Sequence, residues 1–171
     1  MFTKRDIEAY FIAEKQESLL FLVIGMVALG LAGYFYLIHK GPVYKGLAVP
    51  LLVIGIIQVV VGYTVYTRSD RQRIENVYAY DMNPSKLQQE ELVRMKTVNK
   101  NFRVYKWVEI VCLAAGIVLV IINCKATDRQ FLLGIGVGLL IEAVFMLGAD
   151  YFAAKRAIRY TNGIEEFLQI R

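Results

Sequence analysis

The sequence predicts an all-α, polytopic integral membrane protein with four transmembrane helices in two hairpins and helical cytoplasmic extensions. Of its residues, 57% are hydrophobic and the mean hydropathy is +0.45, whereas soluble proteins average roughly 45–50% apolar residues. The apolar residues form four blocks of about 18–22 residues, close to the ~20 that cross a hydrocarbon core about 30 Å thick. Charges are nearly absent from these blocks and dense between them. We therefore expect a single four-helix membrane domain over residues 1–171.

The four blocks also set the limits of the membrane spans. The spans are predicted at residues 19–38, 46–66, 107–124 and 131–149. The first block is too long for the apolar region of a cleaved signal peptide, and the residues before it mix acids with bases, so we expect it to remain in the protein. Aromatic residues such as Tyr66, Trp107 and Tyr151 lie at span ends, where amphipathic rings prefer the headgroup level.

The basic residues predict the orientation. Sixteen of the 20 lysines and arginines lie before the first span, between the second and third, or after the fourth. The positive-inside rule places that side in the cytoplasm. We therefore predict a multi-pass protein of the cell inner membrane with both termini cytoplasmic. Attraction of these bases to anionic lipid accounts for the net charge of +5, and no nucleic-acid partner is expected.

The loop between the second and third spans is predicted to be a cytoplasmic helical hairpin over about residues 67–106. Residues 67–81 contain no glycine or proline, so the second span should continue inward. Asn83-Pro84 should end it, because proline disfavours the helical conformation in the residue before it. Ser85 with Gln88 three residues on predicts a capping box that starts the next helix.

An apolar stripe on that next helix is the candidate packing or partner surface. Its members recur at steps of three and four residues: Leu92, Met95, Val98 and Phe102. Such spacing puts them on one helix face. We expect this face to pack against the helix leaving the second span.

The two ends of the chain should complete the cytoplasmic layer. Residues 3–18 predict an amphipathic helix. Residues 150–171 predict cytoplasmic helices with a break near Asn162-Gly163, since glycine commonly follows a helix C-terminus. These apolar faces should pack on one another, and the alternative for the terminal pieces is to lie on the bilayer surface.

Glu142 is the candidate intramembrane polar residue, with Gln58 as its partner. Glu142 lies 11 residues into the fourth span, or about 16 Å along the helix, and Gln58 lies at a similar depth in the second. A charged acid there costs at least ~2.5–3.5 kcal/mol, so Glu142 should be protonated, paired or facing a wet cavity. Two interpretations stay open: an interhelical hydrogen bond, or a proton or cation site.

Gly134 and Gly138 are the candidate helix-packing face of the fourth span. Small residues at this spacing let two helix backbones approach closely. The contact could lie within the chain or between copies, so a homo-oligomer is a possible assembly. An offset of 86 residues also pairs Gly62 with Gly148 and Arg73 with Arg159, which suggests an internal repeat.

Enzymatic signatures are missing from the sequence. The single histidine, His39, lies in an outer loop, and no His/Cys cluster predicts a metal or other cofactor. We therefore expect a non-enzymatic membrane protein that contacts the lipid bilayer and binds a protein partner. An immunity protein against a membrane-active toxin is one specific form of this role. The alternative is a small oligomeric channel or transporter that uses Glu142.

Overall fold

Four long helices make up the computed structural model, which describes residues 2–39 and 41–169. They are α1 (Lys4–Leu37), α2 (Pro42–Met82), α3 (Pro84–Asn123) and α4 (Gln130–Phe167). Each is long and apolar enough to cross a membrane, which confirms the prediction of an all-helical chain with four membrane-length helices. Because a helix rises about 1.5 Å per residue, the 41 residues of α2 extend roughly 60 Å, twice the ~30 Å of a hydrocarbon core.

The extra length of all four helices lies at one end of the bundle. We call this end the basic layer and define it as residues 4–18, 67–106 and 150–167, which lie beyond the predicted spans. The amphipathic segment predicted at residues 3–18 is continuous with the first span in α1. At its start, the Thr3 backbone N–H and hydroxyl donate to the Asp6 carboxylate at 2.8 and 2.7 Å. A carboxylate in the first turn also suits the helix dipole.

The turn between α2 and α3 falls at Asn83, directly before Pro84. The predicted capping box is wrong, because Pro84 already occupies the first helical position and Asn83 is the cap residue. Proline suits that position because its fixed φ is already helical. The Ser85 hydroxyl instead donates to the Asn83 side-chain oxygen at 2.5 Å. One π-helical turn, Leu87–Glu91, follows within α3.

The predicted break at Asn162-Gly163 is also wrong, because α4 continues without interruption to Phe167. Gly163 stays helical, and a Cβ added there would overlap the Phe2 ring. The glycine therefore makes room for the start of the chain and does not end the helix.

The helices pack in the order α1, α2, α4, α3. Extensive contacts join α1 to α2, α2 to α4 and α4 to α3, and α1 contacts α4 to a lesser extent. By contrast, α2 meets α3 mainly through residues 84–91, next to the turn. The segments expected to pair as a hairpin therefore diverge beyond Glu91. The core around the α3 stripe is contacted by only Val77 and Tyr80 of the expected partner α2, and its other partners are the terminal helical segments, which were predicted to pack in this layer.

Those partners are the start of α1 and the end of α4, which meet α3 in the core of the basic layer. The buried members of this core are Phe2, Ile7, Tyr10, Phe11, Leu92, Met95, Ala157, Tyr160 and Ile164. At its centre the Tyr10 and Tyr160 rings stack with their centroids 4.1 Å apart. Aromatic pairs add about 0.5–1.5 kcal/mol beyond the area they bury, so these contacts hold three helix ends together.

Candidate functional site

The intramembrane pair Glu142 and Gln58 is joined by a direct hydrogen bond. Gln58 Nε2 donates to Glu142 Oε2 at 2.9 Å, linking α2 to α4. Both residues are buried, with 1% and 4% of their surfaces exposed. Gln58 Oε1 is buried and has no hydrogen-bond partner among residues 2–39 and 41–169. The pair is therefore an interhelical contact with one remaining acceptor site.

Close helix packing surrounds this pair. A Cβ added to Gly25 on α1 would lie 2.9 Å from Gln58 Cβ, so the glycine brings α1 against α2 at this depth. Gln58 Nε2 also lies 3.5 Å from the Met146 sulfur of α4. Gln58 and Glu142 do not line the surface groove beside Ile74 and Tyr78, nor the groove between Val61 and Tyr105.

A pair of acids, Glu109 of α3 and Asp150 of α4, forms a second polar contact between helices. The two carboxyl groups lie close enough to interact electrostatically. Glu109 is buried, and its Oε2 has no hydrogen-bond partner among residues 2–39 and 41–169. Asp150 was not predicted as a candidate, because it lies one residue beyond the predicted end of the fourth span. The third and fourth spans are antiparallel, so the end of the fourth lies at the depth of the start of the third. The sequence could therefore have indicated that Asp150 lies near Glu109.

Gly134 and Gly138 pack within the chain, against the start of α2. A Cβ on Gly134 would overlap the Val43 carbonyl oxygen, and one on Gly138 would overlap Pro50 Cγ. The reciprocal contact is equally close, because a Cβ on Gly46 would overlap the Phe131 carbonyl oxygen. This glycine face is therefore occupied by α2 and is not open to a second copy.

The predicted stripe on α3 forms part of the core. Met95 is 0% exposed and Leu92 is buried beside it. Val98 and Phe102 are partly buried against the same cluster. The stripe is therefore a packing surface between helix ends, and its buried half is not available to a partner.

A polar network beside this core was not predicted. Arg94 Nε and Nη2 donate to the two Glu91 carboxylate oxygens at 2.8 and 2.7 Å. Glu14 of α1 lies 3.9 Å from Arg94 and accepts a hydrogen bond from the Ser69 hydroxyl of α2 at 3.1 Å. Glu91 closes the π-helical turn of α3, and such turns frequently occur at functional sites. Polar side chains of three helices thus meet in one cluster, with charges from α1 and α3 and a hydroxyl from α2.

The titration of this network is set by burial and by its own charges. Burial raises the pKa of the Tyr10 hydroxyl, and the Glu14 carboxylate raises it further. Burial would lower the pKa of Arg94, but the hydrogen bonds and charge of Glu91 outweigh it and raise the pKa. Arg94 therefore stays a cation, and Tyr10 keeps its proton at physiological pH. Because these groups keep their protonation states, the network is better suited to holding the helices together than to transferring protons.

The exposed face of α2 in the basic layer carries a second apolar stripe, which was not predicted. Ile74, Tyr78 and Met82 are 65%, 64% and 68% exposed and follow one another at steps of four residues. We call them the α2 stripe. A groove of about 430 Å³ runs beside it and is lined by Glu8, Arg73, Ile74, Val77, Tyr78 and Asp81. The i, i+4, i+8 spacing was visible in the sequence.

No group of three or more His, Cys, Asp or Glu residues within the described ranges 2–39 and 41–169 is arranged to hold a metal ion. A scan of protein-family models, a search of curated proteins and a search of solved structures found no match to this chain. Function is therefore inferred from the geometry and charge of its own residues.

Proposed function

We propose that this chain is a non-enzymatic protein of the inner membrane that binds another protein through its basic layer, which faces the cytoplasm. The observation that carries the proposal is the α2 stripe, a row of large apolar side chains exposed beyond the membrane-length segment. Exposed apolar patches of this kind mark interaction sites in soluble regions of proteins.

The position of the stripe favours a protein over lipid as its partner. Tyr78 lies 12 residues beyond Tyr66, the predicted end of the second span, or about 18 Å along the helix. The headgroup region adds only roughly 5–8 Å to each side of the hydrocarbon core. Tyr78 and Met82 therefore lie in water when α2 stands along the bilayer normal.

The charges beside the stripe also favour a protein over lipid as its partner. The adjoining groove has acids as well as a base in its lining, namely Glu8, Asp81 and Arg73. Asp81 is paired with Lys4 at 2.5 Å. A mixed rim of this kind suits a polar protein surface, whereas the acids would repel anionic lipid headgroups. An amphipathic helix with anchors at i, i+3 or i+4, and i+7 would match the spacing of the stripe.

A membrane-active toxin is the partner class we favour within this proposal. An immunity protein needs a stable polytopic fold and an accessible recognition surface, and it needs no catalytic group. The basic layer offers a stripe for recognition on one side and a buried aromatic core that keeps it rigid.

Site-specific photocross-linking in living cells tests the binding surface. A photoreactive residue at position 78 should give one discrete adduct, whose mass distinguishes a foreign protein from a second copy of this chain. The same residue at position 93, exposed on α3 away from the stripe, is the matched control. Ile74→Asp should abolish the adduct at position 78. Equal labelling at positions 78 and 93, or none at 78, would reject the stripe as the binding surface.

The second candidate function, a small oligomeric channel or transporter, is favoured by the buried acids Glu142 and Glu109 and by the partly buried Asp150. Ionisable residues within a membrane are functional candidates by default. Reconstituted liposomes with a pH- or ion-sensitive dye distinguish the two functions. We expect no flux from the wild type and none from Glu142→Gln. Wild-type flux that is lost in Glu142→Gln would replace the binding proposal with transport.

A further inference from the structure

A second groove, of about 470 Å³, separates α2 from α3 where the two helices diverge. We call it the α2–α3 groove. Its α2 wall consists of Val60, Val61, Thr64, Val65 and Arg68, and its α3 wall of Arg94, Thr97, Val98, Asn101 and Tyr105. It is distinct from the groove beside the α2 stripe, with which it shares no residue.

The lining changes character along the length of the groove. Val60 and Val61 lie within the predicted second span, and Arg68 lies two residues beyond its end. Because α2 and α3 run in opposite directions, Arg94 of α3 lies at the same end as Arg68, and Tyr105 lies towards the valines. The groove therefore joins an apolar end beside Val60 and Val61, within the predicted second span, to a cationic end at Arg68 and Arg94 beyond it, with threonine and asparagine between them.

The arginines at the cationic end have unused donors. Arg68 Nε is buried without a hydrogen-bond partner, and no ion pair balances the Arg68 charge within residues 2–39 and 41–169. Arg94 Nη1 is also buried without a hydrogen bond; its nearest carboxylate oxygen, Glu14 Oε1, is 3.9 Å away, and the rest of the guanidinium is bound to Glu91. No acidic residue lines this groove. Buried donors without partners are rare in native proteins, so the geometry calls for an anion.

We propose that the α2–α3 groove binds one anionic phospholipid, with its phosphate on Arg68 and Arg94 and the start of an acyl chain along Val60 and Val61. A free phosphate would leave the apolar end unfilled. A partner helix would need more room than about 470 Å³, a volume typical of small-molecule sites. Guanidinium groups bind phosphate oxygens in a bidentate manner, and Arg68 lies about 3 Å along the helix beyond the predicted end of the second span, at the depth expected for lipid headgroups.

Native mass spectrometry of the full chain from detergent micelles tests this site. With phosphatidylglycerol added, the wild type should retain one lipid, and Arg68→Gln should bind it about tenfold more weakly. Arg71→Gln is the matched control, since it removes the same charge from the same helix at an exposed residue outside the groove. Arg68→Lys keeps the charge and should restore part of the binding. Phosphatidylcholine should bind weakly to all variants.

A variant at the apolar end covers the possibility that Arg68→Gln does not fold. Val61→Trp fills the groove without changing charge and should also weaken phosphatidylglycerol binding. Soluble glycerol phosphate should not compete with the lipid, whereas effective competition would show that the site takes a free phosphate. Equal retention of phosphatidylglycerol by the wild type, Arg68→Gln and Val61→Trp would overturn the proposal, as would equal losses in Arg68→Gln and Arg71→Gln.

Discussion

At the scale of single residues, the buried hydrogen bond between Gln58 and Glu142 illustrates how a costly polar group is accommodated in an apolar helix bundle. A lone acid at this depth is unfavourable, but Gln58 donates to it at 2.9 Å. Glu142 and Gln58 lie at similar depths on two spans, so the sequence could identify them as partners. Depth alone does not show whether two helices are neighbours, and here the packing of α2 on α4 brings the two side chains together.

Gln58→Leu should lower the stability of the protein. The substitution leaves Glu142 without its donor, and interhelical hydrogen bonds in membranes contribute about 0.6–2 kcal/mol. Thermal unfolding in detergent should show a lower midpoint than the wild type. Glu142→Gln, the matched variant, keeps a hydrogen-bonding group opposite Gln58 and should unfold close to the wild-type temperature. An unchanged midpoint in Gln58→Leu would show that this contact does not stabilise the bundle.

At the scale of helices, close backbone contact sets the interface between α2 and α4. Gly46 and Gly134 face carbonyl oxygens of the opposite helix, where a Cβ would overlap them. Without a hydrophobic effect between helices in lipid, association depends on such packing and on interhelical hydrogen bonds. The glycine spacing was evident in the sequence, but the partner helix was not.

Gly134→Ala should therefore force α2 and α4 apart and lower both yield and unfolding temperature. Gly148→Ala on the same helix is the control, because a Cβ at Gly148 would meet no atom within 4 Å. That change should be neutral or slightly stabilising, since alanine is favoured over glycine in helices by up to about 1 kcal/mol. Equal behaviour of the two variants would contradict the close contact at Gly134. Thermal unfolding of both purified variants makes the comparison.

The buried stripe of α3 makes a second prediction at this scale. Met95→Asp places an unpaired charge in the core of the basic layer, where Met95 is fully buried, and should cost several kcal/mol, roughly 3–5. Val93→Asp adds the same charge two residues away on the exposed face and should be tolerated. Expression yield and unfolding temperature report the difference. Wild-type stability of Met95→Asp would mean that this core is not formed.

At the scale of the whole molecule, the helix ends of the two halves are similarly spaced. The first helices of the halves, α1 and α3, end at Leu37 and Asn123, 86 residues apart, and the second helices, α2 and α4, end at Met82 and Phe167, 85 residues apart. Their lengths differ, since α1 has 34 residues and α3 has 40. Their packing differs as well: Gly62 is held against α1, while a Cβ on its counterpart Gly148 would meet open space. The halves therefore share the spacing of their helix ends and not their interfaces.

The orientation of the whole molecule is tested by cysteine labelling in intact cells, on a background without Cys112 and Cys124. Cysteines placed at position 42, the start of α2, and at position 127, in the loop between α3 and α4, should react with an impermeant reagent added outside. Cysteines at positions 75 and 90 should react only after the cells are opened. All four positions are exposed, so access depends on membrane side. External labelling at position 90 would reverse the orientation and remove the cytoplasmic binding surface.

By itself, the sequence determined how many helices are long and apolar enough to span a membrane, where they lie and which polar residues fall near the middle of the apolar blocks. These follow from local composition and a constant rise per residue. It also indicated the α3 stripe, because helical periodicity is local. The glycine at position 163 was misinterpreted, since glycine serves both a helix end and a close contact, and only the nearby Phe2 ring distinguishes them.

The tertiary structure alone decided which helices are neighbours. A span that is apolar all round has no preferred face, so its sequence does not specify that α2 packs on α4 and leaves a groove towards α3. For the same reason the Arg94 network, which joins residues far apart in the chain, was beyond sequence patterns. Both candidate binding surfaces depend on that arrangement, because helices expose a stripe or a groove only where a neighbour is missing.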